Sequence, residues 1–276
     1  CDQIYSYFGM REICIKDGNI LLNQEPLYQR LILDQGYWKN TGLTPPSEHA
    51  IKEDIIRTKQ LGFNGARKHQ KIEDDRYYYW CDVLGLLVWC ELPSAYYFGD
   101  REVENYVREC VEVVEQHYNH PSVIVWTAFN ESWGINEIGS DKKQQHLSEA
   151  VYHTIKALDA TRPVIANDGW EHTVSDIITL HDYEEDAHAF LQRYENHMED
   201  ILEGKIYHNL IKPAFAQGYH YTGQPIMVTE YGGIAFQNNQ DGWGYGEKVQ
   251  SEEEFIKRYD SITTALGSIP WLSGYC

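Results

Sequence analysis

The sequence lacks a surplus of basic residues, a closely spaced cysteine pair and any long apolar run. Its 42 acidic residues outnumber its 23 lysines and arginines, which gives a formal net charge of −19. Nucleic acids and anionic membrane surfaces attract basic patches, so this balance argues against both as partners. The simplest interpretation of the charge is an acidic, solvated surface.

The six cysteines are scattered, and no two have Cys-x-x-Cys spacing, which argues against a zinc knuckle or a dithiol redox motif. Most lie in apolar runs, where cysteine acts as a small buried hydrophobe. The sequence shows no signal peptide and no membrane-length apolar stretch. Because it starts at Cys1 and stops at Cys276 inside a strand-like run, we expect it to be cut from a longer protein of undetermined compartment.

The chain alternates short apolar strands with amphipathic helical segments, and no repeat or low-complexity linker divides it. This alternation predicts parallel strand pairing, with a helical crossover after each strand. Eight strand-like runs fit a (β/α)8 TIM barrel, an α/β fold, better than an open sheet. We therefore expect residues 1–276 to form a single barrel domain. Residues 1–26 would be a preceding hairpin that turns at Asp17-Gly18-Asn19.

The predicted barrel strands are runs at 27–33, 63–67, 86–90, from 123 to the Asn130-Glu131 pair, 163–167, 176–180, 226–229 and an incomplete one from 272. Helices are predicted after the N-cap residue Ser47 and over 74–84, 103–114, 141–158 and 251–266. The acid-rich segment 184–203 is typical of a solvated helix face.

The predicted strands from Val123 and from Pro225 have the same pattern, an apolar run that stops at a glutamate. The run from Val123 stops at Asn130 and Glu131, and the run from Pro225 stops at Glu230. Buried parallel strands are near-continuous apolar runs, and an α/β barrel forms its active site at their C-terminal ends. One such carboxyl says little in a chain with 42 acids, but two that follow apolar strands favour a shared function.

Paired carboxyl groups are typical of glycoside hydrolysis. One protonates the leaving oxygen while the other acts as nucleophile or base, and in retaining enzymes the two lie about 5 to 5.5 Å apart. Their mutual repulsion helps to keep one protonated while the other is ionised. We therefore expect Glu131 and Glu230 to face one another as a catalytic pair.

Beyond this pair, the chain resembles the catalytic domain of glycoside hydrolase family 2, which contains β-galactosidases, β-glucuronidases and β-mannosidases. The resemblance runs over essentially the whole chain. It rests on Asn130-Glu131, Thr229-Glu230-Tyr231-Gly232, Gly62 to Arg67 with His69, Leu33 to Trp38, and Cys81-Asp82 to Trp89-Cys90-Glu91.

The resemblance implies a role for each matching position. Glu131 resembles the general acid/base and Glu230 the nucleophile that forms a glycosyl-enzyme. Asn130 would bond the sugar 2-hydroxyl, and Arg67 would keep Glu230 ionised. His69 resembles a sugar-contacting histidine; the alternative is a loop histidine with no role.

Further candidates follow other strands. Tyr183 would donate to Glu230, although His181-Asp182-Tyr183 departs from the better-known members of the family. Asp34 and Glu91 end the first and third strands, where they would accept sugar hydroxyls or serve as structural carboxylates; Asp168 is a weaker candidate. Pyranose rings pack their C–H faces on aromatic rings. Trp133 and Trp170 are the first aromatic candidates, ahead of Trp38, Tyr96, Tyr97 and Trp243.

The sequence thus predicts a retaining exo-β-glycosidase of β-galactosidase or β-glucuronidase type that acts on β-glycosides and needs no metal or cofactor. Two alternatives remain: an endo-acting glycanase with an open groove on a related barrel, and a sugar-binding barrel whose chemistry has lapsed. The intact pair Glu131 and Glu230 argues against the second. The family's flanking β-sandwich domains are absent from the chain, and any homo-oligomer is expected to form through them.

Overall fold

The computed structural model describes residues 2–3, 5–209, 211–237 and 243–276. A small antiparallel sheet comes first, formed by β1 (Ile13–Lys16), β2 (Asn19–Leu22) and β3 (Glu25–Pro26). Asp17 and Gly18 both have left-handed φ angles, of 52° and 73°, which suits a two-residue hairpin turn. The hairpin begins only at Ile13 of the residues 1–26 assigned to it, because the described residues before Ile13 form no strand.

Eight parallel strands follow, and they form a nearly closed barrel, which confirms the predicted TIM-barrel fold. They are β4 (Gln29–Asp34), β5 (Gly65–Lys68), β6 (Leu87–Glu91), β7 (Val123–Asn130), β8 (Val164–Asp168), β9 (Ile178–His181), β10 (Ile226–Glu230) and β11 (Leu272–Tyr275). Their hydrogen-bonded order is β8-β7-β6-β5-β4-β11-β10-β9. Between β8 and β9 the ring is joined by single backbone bonds, such as Asp176 N to Val164 O at 2.9 Å.

Within the described residues, six helices surround the strands: α1 (Glu48–Gln60), α2 (Asp75–Leu84), α3 (Asp100–His117), α4 (Lys142–Leu158), α5 (Ala187–Leu202) and α6 (Glu252–Ser268). Their ends carry the expected caps. The Ser47 hydroxyl accepts from Ala50 N at 3.1 Å, and Gly85 ends α2 with a left-handed φ of 72°. Every residue of β7 is buried, which explains its continuous apolar run.

The expectation of a helix after every strand is wrong between β8 and β9. Residues 169–177 form an irregular connection without a helix. The segment between α5 and β10 covers this place instead, because Ala216 N donates to His172 O at 3.0 Å and His172 N donates to Ala214 O at 2.9 Å. A distant part of the chain therefore closes the outer layer here.

Helix α5 is amphipathic and not only a solvated face. Its acidic residues face outward, but Phe190, Tyr194 and Ile201 are buried against the barrel. The spacing of four and seven residues places these side chains on one side of a helix. Among the described residues, no helix combines the length and the apolar character needed to cross a membrane.

Candidate active site

The side chain of Arg67, on β5, is the centre of a buried ion network at the C-terminal end of the barrel. Its Nε lies 2.5 Å from Glu91, and its Nη1 lies 2.8 Å from Asp168 and 3.0 Å from Glu230. Its Nη2 donates to Asn130 Oδ1 at 2.6 Å. Burial alone would lower the pKa of Arg67, but the three carboxylates raise it well above its usual range, so the guanidinium stays charged.

Glu230 is the last residue of β10, and donors reach both of its oxygens. Oε1 accepts from Arg67 Nη1 at 3.0 Å, and Oε2 accepts from the Tyr183 hydroxyl. Nε2 of His181 lies 3.6 Å from Oε1, and Nδ1 of His69 lies 3.9 Å from it. Burial tends to raise the pKa of Glu230, but these neighbours hold it below its usual value. The side chain is therefore a carboxylate at neutral pH.

Glu131 follows β7 directly and has an unusual backbone. Its φ is 51° and that of Ser132 is 60°, a left-handed pair that costs non-glycine residues on the order of 1 to 3 kcal/mol each. Two bonds from the neighbouring strand hold this turn: Glu131 N donates to Asp168 O at 2.9 Å, and Ser132 N donates to Asn167 Oδ1 at 3.0 Å. The turn directs the Glu131 carboxyl into the site.

His181, the last residue of β9, lies between the two glutamates. Its Nδ1 is 2.7 Å from Glu131 Oε1, and its Nε2 is 3.5 Å from Asp168 Oδ2. Burial opposes protonation, but the surrounding carboxylates raise the pKa of His181 to about 10. Sequence reasoning did not include His181 in the site. The available signal was its position at a strand end, the same as for Glu131 and Glu230.

One carboxylate oxygen from Glu131, one from Glu230 and a ring nitrogen of His181 all lie within 4.8 Å of one another. In the described part of the chain, this is the one set of histidine, cysteine or carboxylate groups close enough to share a metal ion. A protonated imidazole has no free lone pair and cannot bind a metal ion. As an imidazolium, His181 itself supplies a positive charge between the two glutamates.

A cavity of about 410 Å³ opens beside this cluster, within the usual size range of small-molecule sites. Glu131, Trp170, Tyr183 and Tyr245 contribute to its wall. The rings of Tyr183 and Tyr245 are stacked with centroids 3.3 Å apart, and Trp170 packs edge-on against His181 at 5.6 Å. Glu131 thus faces an aromatic wall, whereas Glu230 lines another cavity, of about 250 Å³. Tyr245 is a further member that sequence reasoning missed.

The remaining candidates occupy different positions. Asn130 is buried beneath the site, and its Oδ1 is used by Arg67. His69 Nδ1 lies 3.0 Å from Glu91. Trp133 is 42% exposed and packs edge-on against Tyr96 at 5.9 Å. It is not among the residues that line the 410 Å³ cavity.

For Glu91 and Asp34, the contacts favour the alternative of a structural carboxylate. Glu91 is fully buried, and its oxygens are used by Arg67 and by the backbone N of Gln70 at 3.0 Å, so it positions Arg67 instead. Asp34 pairs with Lys68 at 2.8 Å and lines a second cavity of about 260 Å³. In both cases a buried cation competes for the carboxylate.

Asp168, the weaker candidate in the sequence, lies inside the buried ion network. It lies 2.8 Å from Arg67 Nη1 and accepts from the Thr229 hydroxyl at 2.8 Å. Burial works against its ionisation, but Arg67 and His181 hold the pKa of Asp168 far below its usual range. It therefore supplies a fixed negative charge between the two cations.

Comparison with known proteins adds independent information. The family model "Glycosyl hydrolases family 2, TIM barrel domain" matches residues 13–262. A β-galactosidase of Leuconostoc mesenteroides subsp. mesenteroides is 32% identical over 180 residues, which are 62% of this chain and 16% of that protein. A β-galactosidase of Photobacterium profundum is 30% identical over 180 residues, with the same shares. The chain thus spans only a small part of these curated relatives.

Solved structures share the fold over nearly the whole chain. A GH2 β-galacturonidase from Eisenbergiella tayi bound to galacturonate superposes with a TM-score of 0.73 at 22% identity, covering 97% of this chain and 46% of that one. A β-D-glucuronidase of Dictyoglomus thermophilum gives a TM-score of 0.75 at 18% identity, with the same coverage. At these identities the likeness concerns the fold alone.

Proposed function

Because the chain belongs to glycosyl hydrolase family 2, as its motifs predicted, we propose that it is the catalytic barrel of a retaining exo-β-glycosidase. The observation that carries the proposal is the short distance between the two glutamates, with one oxygen of Glu131 within 4.8 Å of one oxygen of Glu230. Inverting glycosidases separate their carboxyl groups by about 6.5 to 9.5 Å to hold a water, whereas retaining ones separate them by about 5 to 5.5 Å.

The proposed reaction has two displacements. Glu230, kept ionised by Arg67, attacks the anomeric carbon while Glu131 gives its proton to the leaving oxygen. Water then attacks the glycosyl-enzyme and gives a proton to Glu131, and the sugar leaves with its β configuration retained. The Tyr183 hydroxyl, bonded to Glu230, positions the attacking carboxylate.

The charge of the cavity wall favours a neutral sugar over a uronic acid. Asp182, Glu184 and Glu185 line the cavity with Glu131. Among the described lining residues, Arg193 is the one lysine or arginine, and it lies 2.5 Å from Asp182 and 3.0 Å from Glu184. A uronate would meet an acidic wall whose cation is already paired. We therefore propose a β-galactosidase-type substrate, in line with the names of the curated relatives.

A panel of aryl β-glycosides tests this function, with β-galactoside, β-glucoside and β-glucuronide compared on the same preparation. We expect turnover of a neutral glycoside, and we expect Glu230→Gln to abolish it. Glu104→Gln, an exposed change on α3, serves as the matched control and should turn over like the parent. Equal rates for the parent and Glu230→Gln would contradict the proposal.

Two experiments separate the proposed exo-glycosidase from the lapsed sugar-binding barrel and from the endo-acting glycanase. A 2-fluoro glycoside should label Glu230 covalently, whereas a lapsed sugar-binding barrel would bind it reversibly. Preferential cleavage of a polysaccharide at internal bonds would support the endo-acting glycanase. These outcomes are read by mass spectrometry of the labelled protein and by the length of the released products.

A further inference from the structure

His181 is held in place by packing as well as by polar contacts. Its ring is fully buried, with Nδ1 2.7 Å from Glu131 Oε1 and Nε2 3.6 Å from Glu230 Oε1. Gly169 makes room for the ring, because a Cβ at that position would lie 2.6 Å from Nδ1 of His181. The imidazole therefore has one fixed position between the two glutamates.

Charged and titratable groups face this ring from every neighbouring element. The charged groups are Glu131 after β7, Asp168 on β8, Glu230 on β10 and Arg67 on β5. Nη1 of Arg67 lies 3.5 Å from Nε2 of His181. His172 and His208 come from the adjacent loops. Burial lowers the pKa of His172 to about 4 and that of His208 to about 3, so both are neutral near pH 7. Three carboxyl groups thus face His181, against one guanidinium.

We propose that His181 is a positioning residue which, as a buried imidazolium, stabilises the single negative charge that moves between Glu230 and Glu131 during turnover. This rests on the proposed double displacement. At the start of the proposed reaction the charge is on Glu230, and Glu131 holds the proton that it transfers. When the bond between Glu230 and the anomeric carbon forms and the glycosidic bond breaks, the proton of Glu131 goes to the leaving oxygen. Glu131 then carries the charge.

The second displacement reverses this transfer. The oxygen of a water bonds to the anomeric carbon, its proton goes to Glu131, and the electron pair of the ester bond returns to Glu230. In both states one of the two glutamates is ionised, while Arg67, His181 and Asp168 keep their charges, so the total charge of the buried cluster does not change. His181 contacts both glutamates and therefore lies next to the moving charge throughout.

The same geometry assigns different tasks to the two oxygens of Glu131. Oε1 accepts from the protonated Nδ1 of His181 at 2.7 Å. A carbonyl-type oxygen accepts such a bond whether or not the carboxyl is protonated, so Oε2 is the oxygen that carries and transfers the proton. His181 thereby fixes the direction of proton transfer.

The pH dependence of kcat/KM with the aryl glycoside tests this role. His181→Asn removes a positive charge from beside both glutamates, so we expect both limbs of the profile to move to higher pH by about one unit or more. We also expect kcat/KM at the optimum to fall about 10- to 100-fold. His146→Asn, an exposed histidine on α4, is the control and should leave both limbs in place.

A fall in kcat/KM without movement of either limb would mean that His181 only fills space, and would overturn the inference. If His181→Asn does not fold, ¹⁵N NMR of the parent labelled in histidine decides the question. Both ring nitrogens of His181 should be protonated at pH 8, and a neutral ring at that pH refutes the role. A parent with neither turnover nor labelling of Glu230 would refute the proposed function itself, and this role with it.

Discussion

Nη1 of Arg67 lies 3.0 Å from Oε1 of Glu230, although the two residues are 163 positions apart in the sequence. The guanidinium is fully buried, so this ion pair has little screening by solvent. The contact does two things at once. It keeps Glu230 ionised, and it joins two strands on different sides of the barrel.

Replacement of Arg67 by alanine should strongly destabilise the protein. It would leave Glu91, Asp168 and Glu230 as buried carboxylates without their cation, and removing one partner of a buried pair costs about 3 to 5 kcal/mol. Urea denaturation gives the free energy of unfolding. Arg57→Ala is the control, because its pair with Glu53 is exposed and exposed pairs contribute about 0 to 1 kcal/mol. Similar losses in the two variants would contradict the buried network.

Tyr183→Phe should lower kcat and leave the fold intact. The hydroxyl donates to Glu230, and a hydrogen bond to a charged group is worth about 1.5 to 3 kcal/mol, so we expect a decrease of roughly 10- to 150-fold. Tyr219→Phe also removes a tyrosine-to-glutamate bond, at 2.8 Å to Glu149, but outside the site. Steady-state kinetics of the two variants should therefore differ. A normal kcat in Tyr183→Phe would show that the bond has no part in turnover.

Glu131→Ala should be rescued by azide. In the proposed mechanism, the variant without this acid/base still forms the glycosyl-enzyme from an activated aryl glycoside. Azide then enters the space left by the side chain and attacks the anomeric carbon. The product should be the β-glycosyl azide, identified by NMR. An α-glycosyl azide would contradict retention.

Stability should fall as the pH drops from about 6.5 to 4. Burial lowers the pKa of His117 and of His172 to about 4 and that of His208 to about 3, so the unfolded chain binds more protons than the folded one in this range. The free energy of unfolding therefore decreases by roughly 1.4 kcal/mol for each histidine and each pH unit. Urea denaturation at several pH values measures this slope.

His117→Phe provides the matched variant for that slope. In the described structure neither ring nitrogen of His117 has a hydrogen-bond partner, and the ring packs on Tyr78 with centroids 4.3 Å apart. Phenylalanine fits the same contact without taking up a proton. Between pH 6.5 and 4.5, the free energy of unfolding of this variant should fall by less than that of the parent, and the difference should equal the contribution of one histidine. An unchanged slope would disprove the lowered pKa of His117.

Sequence patterns predicted the barrel and the positions of its strands because buried parallel strands are distinctive. The run from Val123 is buried at every position of β7. The missing helix between β8 and β9 could not be predicted, because only long-range contacts show that another segment covers that place. The buried face of α5 was missed because Phe190, Tyr194 and Ile201 lie in an otherwise acid-rich stretch.

Residue type and position near a strand end were enough to predict that several of the candidate residues lie together. Glu131, Glu230, Arg67 and Tyr183 lie at or near the C-terminal ends of their strands and come together in the structure. The sequence gives no measure of which carboxylates a buried cation occupies. The role of Glu91 therefore stayed open between a hydroxyl acceptor and a structural carboxylate until its bond to Arg67 was seen, and His181 was omitted.

The segment that covers the gap between β8 and β9 links a remote part of the chain to the turn at Glu131. Lys212 pairs with Glu171 at 3.0 Å, and Glu171 accepts from the hydroxyl of Ser132 at 2.7 Å. Shortening or lengthening the stretch around Lys212 would therefore loosen the backbone that holds Glu131, the proposed proton donor. Relatives that differ in that stretch would then differ in the rate of the proposed proton transfer, although both glutamates are the same.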